Sequence, residues 1–284
     1  SKLKLFIRKL IKKHLHFGYL KPSFIIIGAQ KAGTTALYKY LQQHESILAS
    51  HPKEIHFFDT NTSLDYKNYH KYFPKKYINP KLSFESTPRY LYFPGTAERL
   101  QEYNPNLKLI VSLRDPVSRA YSAWNMYQQM KDNDSLMKRF KLNAKQQDNH
   151  KLFDYLTDPK IITFRDWVEK EIFDNKKQDI IEPSILKRGH YEEQILDYFK
   201  YFPQDQLHFV NADSLKKDTE KELLKICKFL KIKSFNFNNV NTNPHQKRDY
   251  KAPIPESDKE FLKDYYSDKN VNLEAITKIK FDWL

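Results

Sequence analysis

Apolar residues in this chain fall into short separated runs, and their spacing changes from run to run. Phe24 to Ile27 is an unbroken apolar stretch that follows Pro22 and stops at Gly28, the pattern of a strand buried on both faces. Lys81 to Glu85 and Leu207 to Asn211 are further candidate strands, and Leu107 to Leu113 (LKLIVSL) is the strongest. Between them the apolar positions shift to helical spacing. Helices are predicted from Thr34 through Leu37 and Leu41, from Pro116 to about Met130, and over Phe164–Phe173, Tyr191–Phe202, Asp218–Leu230 and Ser257–Tyr266. Pro116 suits a helix start, because the first helical position needs no N–H. Residues 131–150 are almost wholly polar and predict an exposed helical extension or a mobile loop. Asn236 to Pro255, rich in Asn, Pro and Lys, predicts a long loop. Strands alternating with helices imply an α/β fold: a P-loop-like parallel sheet flanked by helices on both faces. In such sheets ligands bind beyond the carboxyl ends of the strands.

The amino end follows another pattern. Leu3, Phe6, Ile7, Leu10 and Ile11 recur at helical spacing with Lys2, Lys4, Arg8, Lys9, Lys12 and Lys13 between them. This basic amphipathic helix either lies on an anionic membrane surface through residues 2–17 or packs on its own domain. It lacks the uninterrupted apolar region and cleavage site of a signal peptide. Residues 1–21 are therefore set apart from a single domain over 22–284. No run approaches the ~20 apolar residues that span a bilayer.

Composition narrows the classes. With 284 residues, 40% of them hydrophobic, the chain can bury a full core, which excludes wholesale disorder. The net charge of +14 attracts polyanions without saying which, and a lysine-rich solvated surface produces the same number. Nucleic acid is not an expected partner, since neither a recognition helix nor a stacking platform is evident. The single cysteine, Cys227, lies within Leu223, Leu224, Ile226, Phe229 and Leu230, a helical face that reads as buried core. An intrachain disulfide and multi-cysteine zinc sites are thereby excluded. A reducing, cytoplasmic location is expected.

Two segments carry chemistry. In the first, Gly28-Ala29-Gln30-Lys31-Ala32-Gly33-Thr34-Thr35, a strand feeds a glycine-bounded loop that opens into a helix. Converging backbone amides and the helix dipole make such a loop an anion site. A nucleotide triphosphatase loop reads G-x-x-x-x-G-K-[ST]. Here the glycine spacing is kept, but Thr34 stands where that lysine belongs, and Lys31 lies inside the loop. The strong strand also ends in Leu113-Arg114-Asp115 rather than directly in a magnesium-binding Asp. Both departures argue against ATP or GTP hydrolysis and suit an anion held by direct positive charge, without metal. In the second segment Arg114 leaves the strong strand and Ser122 lies about two turns into the next helix. Together they suit one phosphate, Arg as a fork and Ser as a hydroxyl donor. Taken alone, the Arg114-Asp115 pair reads equally as a local ion pair or helix cap.

The two segments together resemble the sulfotransferases that use 3′-phosphoadenosine-5′-phosphosulfate (PAPS). Gly28–Thr35 is similar to their 5′-phosphosulfate loop and Arg114–Ser122 to their 3′-phosphate segment. Lys53-Glu54-Ile55-His56-Phe57-Phe58-Asp59 resembles the E-V-H-F-F-D stretch of heparan sulfate 3-O-sulfotransferases. Glu85-Ser86-Thr87-Pro88-Arg89-Tyr90 is similar to the E-K-T-P-x-Y of that branch and of the N-deacetylase/N-sulfotransferases. Tyr191 to Val210 and Phe281-Asp282-Trp283 also match. The resemblance covers nearly everything after Pro22.

That resemblance implies PAPS as donor, its desulfated product adenosine 3′,5′-bisphosphate (PAP), no metal, and an acidic or neutral polysaccharide, glycosaminoglycan-like, as acceptor. It implies Glu54 as catalytic base and Lys31 as the cation steadying the leaving group. Gln30, Lys31, Ala32, Gly33, Thr34, Thr35, Arg114 and Ser122 would bind the nucleotide. His56 is the rival base or an orienting residue, and Glu54 is expected to be tuned by burial against Phe57 and Phe58. Three features depart from the family. Ser86 replaces a lysine near the reaction centre, with Arg89 as a candidate substitute beside the acceptor. The family's disulfide-closed loop is replaced by Asn236–Pro255, whose Lys247, Arg248 and Lys251 would close over the nucleotide or its sugar-bearing neighbour. Residues 131–150 have no counterpart. A bacterial, cytoplasmic relative of the glycosaminoglycan enzymes fits all three. A P-loop kinase or NTPase, a non-catalytic polyanion binder, and a small-molecule, lipid-linked or tyrosine acceptor are the other readings.

Overall fold

Every residue of strand β1 (Phe24–Gly28) is buried, which is why its sequence has no polar position. The computed structural model describes residues 18–60, 64–76, 81–143, 149–177, 182–237, 240–241 and 252–284; the predicted amphipathic helix of residues 2–17 lies outside them. After β1 come α1 (Thr34–Leu41), β2 (Ile47–Ala49), α2 (Tyr66–His70), β3 (Leu82–Ser86), α3 (Thr96–Tyr103) and β4 (Lys108–Leu113). Then follow α4 (Pro116–Lys131), α5 (Asp134–Asn143), α6 (Asn149–Thr157), α7 (Phe164–Asn175), α8 (Tyr191–Phe199), β5 (Leu207–Asn211), α9 (Ala212–Lys217), α10 (Thr219–Leu230), α11 (Glu256–Tyr266) and α12 (Leu273–Thr277).

The five strands form one sheet in the order β2-β3-β1-β4-β5, and every pairing is parallel. The chain leaves β1 toward β2 and β3, then returns past it to β4. The order therefore reverses beside β1, where the carboxyl ends of such a sheet open a crevice. Alternate residues of the strands feed two cores. Ile25, Ile27, Leu109 and Val111 pack with Tyr191, Ile195 and Tyr198 of α8. Phe24, Ile26, Phe84 and Ile110 pack with Leu37 and Leu41 of α1 and with Leu223, Ile226, Cys227 and Leu230 of α10. Phe24 and Phe84 stack across β1 and β3 at 4.8 Å, and burying each ring is worth about 1.5–3 kcal/mol. A third cluster centres on Trp167, among α4, α7 and α11.

Within the described residues, the predicted strands and helices are present, with differences of a few residues at their ends. The helix at Tyr191 stops at Phe199 rather than Phe202. Strand β2, only three residues long, and helices α2, α3, α6, α9 and α12 were not expected, because periodicity carries little signal in such short or polar segments. Most of the expected helical face around Cys227 is buried, but Leu224 is 44% exposed. Burial pushes the Cys227 thiol up from its ordinary range, which leaves it a core side chain. The polar stretch after α4 continues as α5 over Asp134–Asn143. Among the described residues, no helix is long and apolar enough to cross a membrane.

Candidate active site

Gly28 sits where two loops meet. A Cβ there would lie 2.6 Å from Leu91 Cβ and 3.2 Å from the Pro88 carbonyl, so only glycine lets the loop after β1 pass the loop after β3. Hydrogen bonds hold that approach: the Thr87 and Leu91 amides donate to the Ile26 and Ile27 carbonyls at 3.1 and 2.8 Å. On the other side Ala29 N–H donates to Ser112 O at 2.7 Å, and Ser112 Oγ donates to Ala32 O at 2.6 Å. The loop is thus braced by both neighbours of β1. Gly33 takes φ 82° at the start of α1, and no side chain caps that end. The first-turn amides, including those of Thr34 and Thr35, therefore face outward at the positive end of the helix. Lys31 is also left-handed, at φ 68°, a conformation that costs a non-glycine residue about 1–2 kcal/mol and that clusters at functional sites.

Arg114 reaches this loop: its NH1 donates to the Lys31 carbonyl at 3.4 Å. The Tyr191 hydroxyl donates to the Arg114 carbonyl at 2.8 Å. Asp115 instead caps α4, accepting from the Val117 and Ser118 amides at 3.2 and 3.0 Å. The two halves of the Arg-Asp pair thus serve different ends. Ser122 is buried in α4. Beside it, the Tyr121 hydroxyl donates to Ala252 O at 2.8 Å, which holds the described end of the Asn236–Pro255 segment against α4. Lys247, Arg248 and Lys251 lie outside the described residues.

A line of charges runs along the same edge of the sheet. Glu54 Oε1 accepts from Lys53 Nζ at 2.5 Å, and its Oε2 lies 3.7 Å from His56 Nε2. His56 Nδ1 lies 2.7 Å from Asp59 Oδ2. Arg89 NH1 donates to that oxygen at 3.3 Å, and its Nε to Glu182 at 3.1 Å. Glu182 also accepts from Arg188 and from the Tyr127 hydroxyl, at 3.1 Å in the latter case. His56 is itself left-handed, at φ 55°.

This arrangement corrects one expectation. Phe57 and Phe58 turn away to pack on Tyr69, at 4.4 and 5.1 Å between ring centroids, and the Glu54 side chain stays 46% exposed. Partial burial would raise the Glu54 carboxyl, but the hydrogen bond to His56 and the pairing with Lys53 override it and bring it down to about 2. Arg89, the candidate substitute for the lysine missing at Ser86, pairs with Asp59 and Glu182. Ser86 is fully buried at the end of β3, and its Oγ has no hydrogen-bond partner.

Burial would likewise lower the His56 imidazole, but hydrogen bonds and charge from Asp59 and Glu54 push it up to about 9. His56 is therefore a cation at neutral pH. A raised histidine adds stability that is fully present below its unfolded value near 6.5 and fades as pH rises through about 9. Because the ring is half-exposed, solvent screening limits this to about 1 kcal/mol. The expected result is that His56→Ala melts about 2–4 °C below the wild type at pH 7 and level with it by about pH 10. An offset that stays constant across that range would remove the ion pairing from the account.

Whether these residues fit an anionic nucleotide can be tested on the orphaned atoms. Gln30 Oε1 and Ser86 Oγ are buried with no protein partner at the strand ends beside the loop; the first only accepts and suits a nucleotide hydroxyl or amino group, whereas the second can also donate to an anionic oxygen. Such polar atoms are costly unless a ligand or water completes them. Together with the uncapped helix end and Arg114, they fit. Among the described residues, no group of three or more His, Cys, Asp or Glu is arranged to hold a metal ion.

Sequence reasoning passed over Glu85, treating it only as part of a motif. It is fully buried and accepts from the Tyr69, Thr87 and Tyr90 hydroxyls. No sequence spacing announces this, because the three donors come from α2 and from the turn after β3.

A family model described as the sulfotransferase domain matches residues 21–269. The chain is 26% identical to the bifunctional heparan sulfate N-deacetylase/N-sulfotransferase 4 of Mus musculus, over 90% of this chain and 30% of that protein. It is 27% identical to the membrane-associated sulfotransferase kil1 of Dictyostelium discoideum, over 92% of this chain and 66% of that one. It is also 27% identical to the human heparan sulfate glucosamine 3-O-sulfotransferase 3B1, over 92% of this chain and 65% of that one. The chain thus spans less than two thirds of each of these relatives. Among solved structures, a sulfotransferase from Alicyclobacillus acidocaldarius superposes with a TM-score of 0.66 at 22% identity, covering 93% of this chain and 99% of that one. Mouse sulfotransferase SULT7A1 complexed with PAP superposes at 0.51 and 16% identity, covering 92% and 88%. Both likenesses are of fold.

Proposed function

The chain belongs to the sulfotransferase domain family, and from that premise we propose that it moves a sulfuryl group from PAPS to a hydroxyl or amine of an acidic polysaccharide, with Glu54 as general base. The observation that carries this reading is the shared sheet edge. The Lys31 loop, Arg114 and the Glu54–His56–Asp59 line all follow carboxyl ends of β1, β4 and β2 in one parallel sheet. The relatives named for heparan sulfate and the net charge of +14 support a polyanionic acceptor.

PAPS supplies a sulfuryl group joined to a phosphate that leaves readily. Glu54 takes the proton from the acceptor's hydroxyl or amine as the new bond to sulfur forms. His56, held as a cation with Nδ1 toward Asp59, has no lone pair to offer, which supports its role as the group that orients Glu54. Arg89 fixes Asp59 in turn. As the bond from sulfur to the bridging oxygen breaks, Lys31 and the loop amides stabilise the charge left on that oxygen. Gln30, Ala32, Gly33, Thr34 and Thr35 would hold the 5′ end, with Arg114 and Ser122 on the 3′-phosphate.

The test is nucleotide binding followed by turnover. PAP should raise the melting temperature without magnesium, whereas Mg·ATP should not. Arg114→Ala should weaken PAP binding by about 30-fold or more, the cost of removing one partner of a charge-assisted pair. Labelled PAPS should then label a desulfated polysaccharide from a panel. Stabilisation by Mg·ATP alone would transfer the protein to phosphoryl chemistry.

A further inference from the structure

The segment that presents Glu54 and His56 is irregular backbone, held by hydroxyls rather than by strand pairing. The Ile55 amide donates to Thr87 Oγ1 at 3.2 Å. The Phe57 and Phe58 amides donate to the Tyr90 hydroxyl at 2.9 and 3.3 Å. The amides on both sides of left-handed His56 are therefore pinned, and such a backbone persists only where its surroundings over-determine it. Both clamping hydroxyls give their own protons to one buried carboxylate: Thr87 Oγ1 to Glu85 Oε2 at 2.8 Å, and the Tyr90 hydroxyl to Oε1 at 3.3 Å. The Tyr69 hydroxyl donates to Glu85 Oε1 at 2.5 Å.

We propose that Glu85 is a positioning residue, whose carboxylate orients the Thr87 and Tyr90 hydroxyls so that their lone pairs clamp the backbone presenting Glu54 and His56. Its effect on turnover rests on the reading of Glu54 as base. The physical reason is donor counting. An ionised carboxylate only accepts, so every hydroxyl around it must point its proton inward and leave its lone pairs for the amides. A carboxamide of the same shape brings an N–H₂ donor into the cluster. At least one hydroxyl must then turn its proton outward, toward an amide that is itself a donor.

The groups facing Glu85 are Tyr69 from α2, Tyr103 from α3, Asp59 from the charged line, and Thr87 and Tyr90 from the turn after β3. Burial raises the Glu85 carboxyl to about 7, against the pull of the three hydroxyls. Protonation as pH falls through that value adds a donor, as the amide substitution does.

The experiment compares Glu85→Gln, Tyr90→Phe and the double variant with the wild type. In Glu85→Gln, kcat should fall about tenfold or more, while KM for PAPS and the affinity for PAP stay within about twofold. The fall in wild-type kcat as pH drops through about 7 should be absent. Hydrogen exchange at residues 54–58 should accelerate while β1 and β4 stay protected. The double variant should be no worse than Glu85→Gln by more than about twofold, since both release the same clamped backbone. If Glu85→Gln does not fold, Thr87→Val should give the same pattern at smaller size. Unchanged exchange at 54–58, a kcat within twofold of wild type, or independent effects in the double variant overturns the proposal. Near-normal turnover in Glu54→Gln would instead sink the base assignment, and exchange at residues 54–58 would still report on Glu85.

Discussion

Glu54→Gln is expected to lower kcat by about 10²–10⁴-fold, the usual worth of a general base, while PAP affinity stays within about twofold. The substitution keeps the shape of the side chain and removes only its capacity to take a proton. Lys53 and His56 hold the carboxyl down at about 2, so it is ionised throughout the working range, and no acid limb from Glu54 itself should appear above about pH 4. A base so depressed is weak until a partner leaves. The check is steady-state turnover with labelled PAPS beside calorimetric PAP binding. Near-normal turnover in Glu54→Gln, with turnover lost in His56→Ala, would hand the role of base to the imidazole.

Lys31→Met is the second large effect, with kcat expected to fall about 10²–10³-fold, the cost of removing one donor aimed at developing charge. Methionine is the informative replacement because it keeps the stem of the lysine and meets the same left-handed backbone at φ 68°. The measured loss then reports the charge rather than a relaxed loop. PAP affinity should drop far less than kcat, because the loop amides and Arg114 still hold the product. An equal loss in both would mean that Lys31 binds the nucleotide without favouring the transition state. Arginine should not rescue: its planar fork does not reproduce a compact ammonium within a loop braced on both sides.

How much of this was readable beforehand follows from the range of each interaction. The apolar runs at Phe24–Ile27, Leu107–Leu113 and Leu207–Asn211 announce strands because a doubly covered parallel sheet removes every polar position. Gly28, Lys31, Gly33 and Arg114 were legible because a strand, a tight loop and a helix start are all local. Strand β2 was not legible, because three residues cannot show a period, and its place at the sheet edge comes from pairing with β3. The state of Glu54 was misjudged for a related reason. Adjacent phenylalanines suggested burial, but their rings follow Tyr69, a contact that depends on how α2 docks.

By itself, then, the order of residues determined the strands and the strand-loop-helix turn at Gly28–Thr35, since those rest on neighbours within a few positions. Packing alone decided that Arg89 pairs with Asp59 and Glu182, and that Glu85 gathers hydroxyls from Tyr69, Thr87 and Tyr90. Hydrogen bonds and charges act over a few ångströms in space and are indifferent to separation along the chain, so no spacing rule anticipates which distant groups will meet.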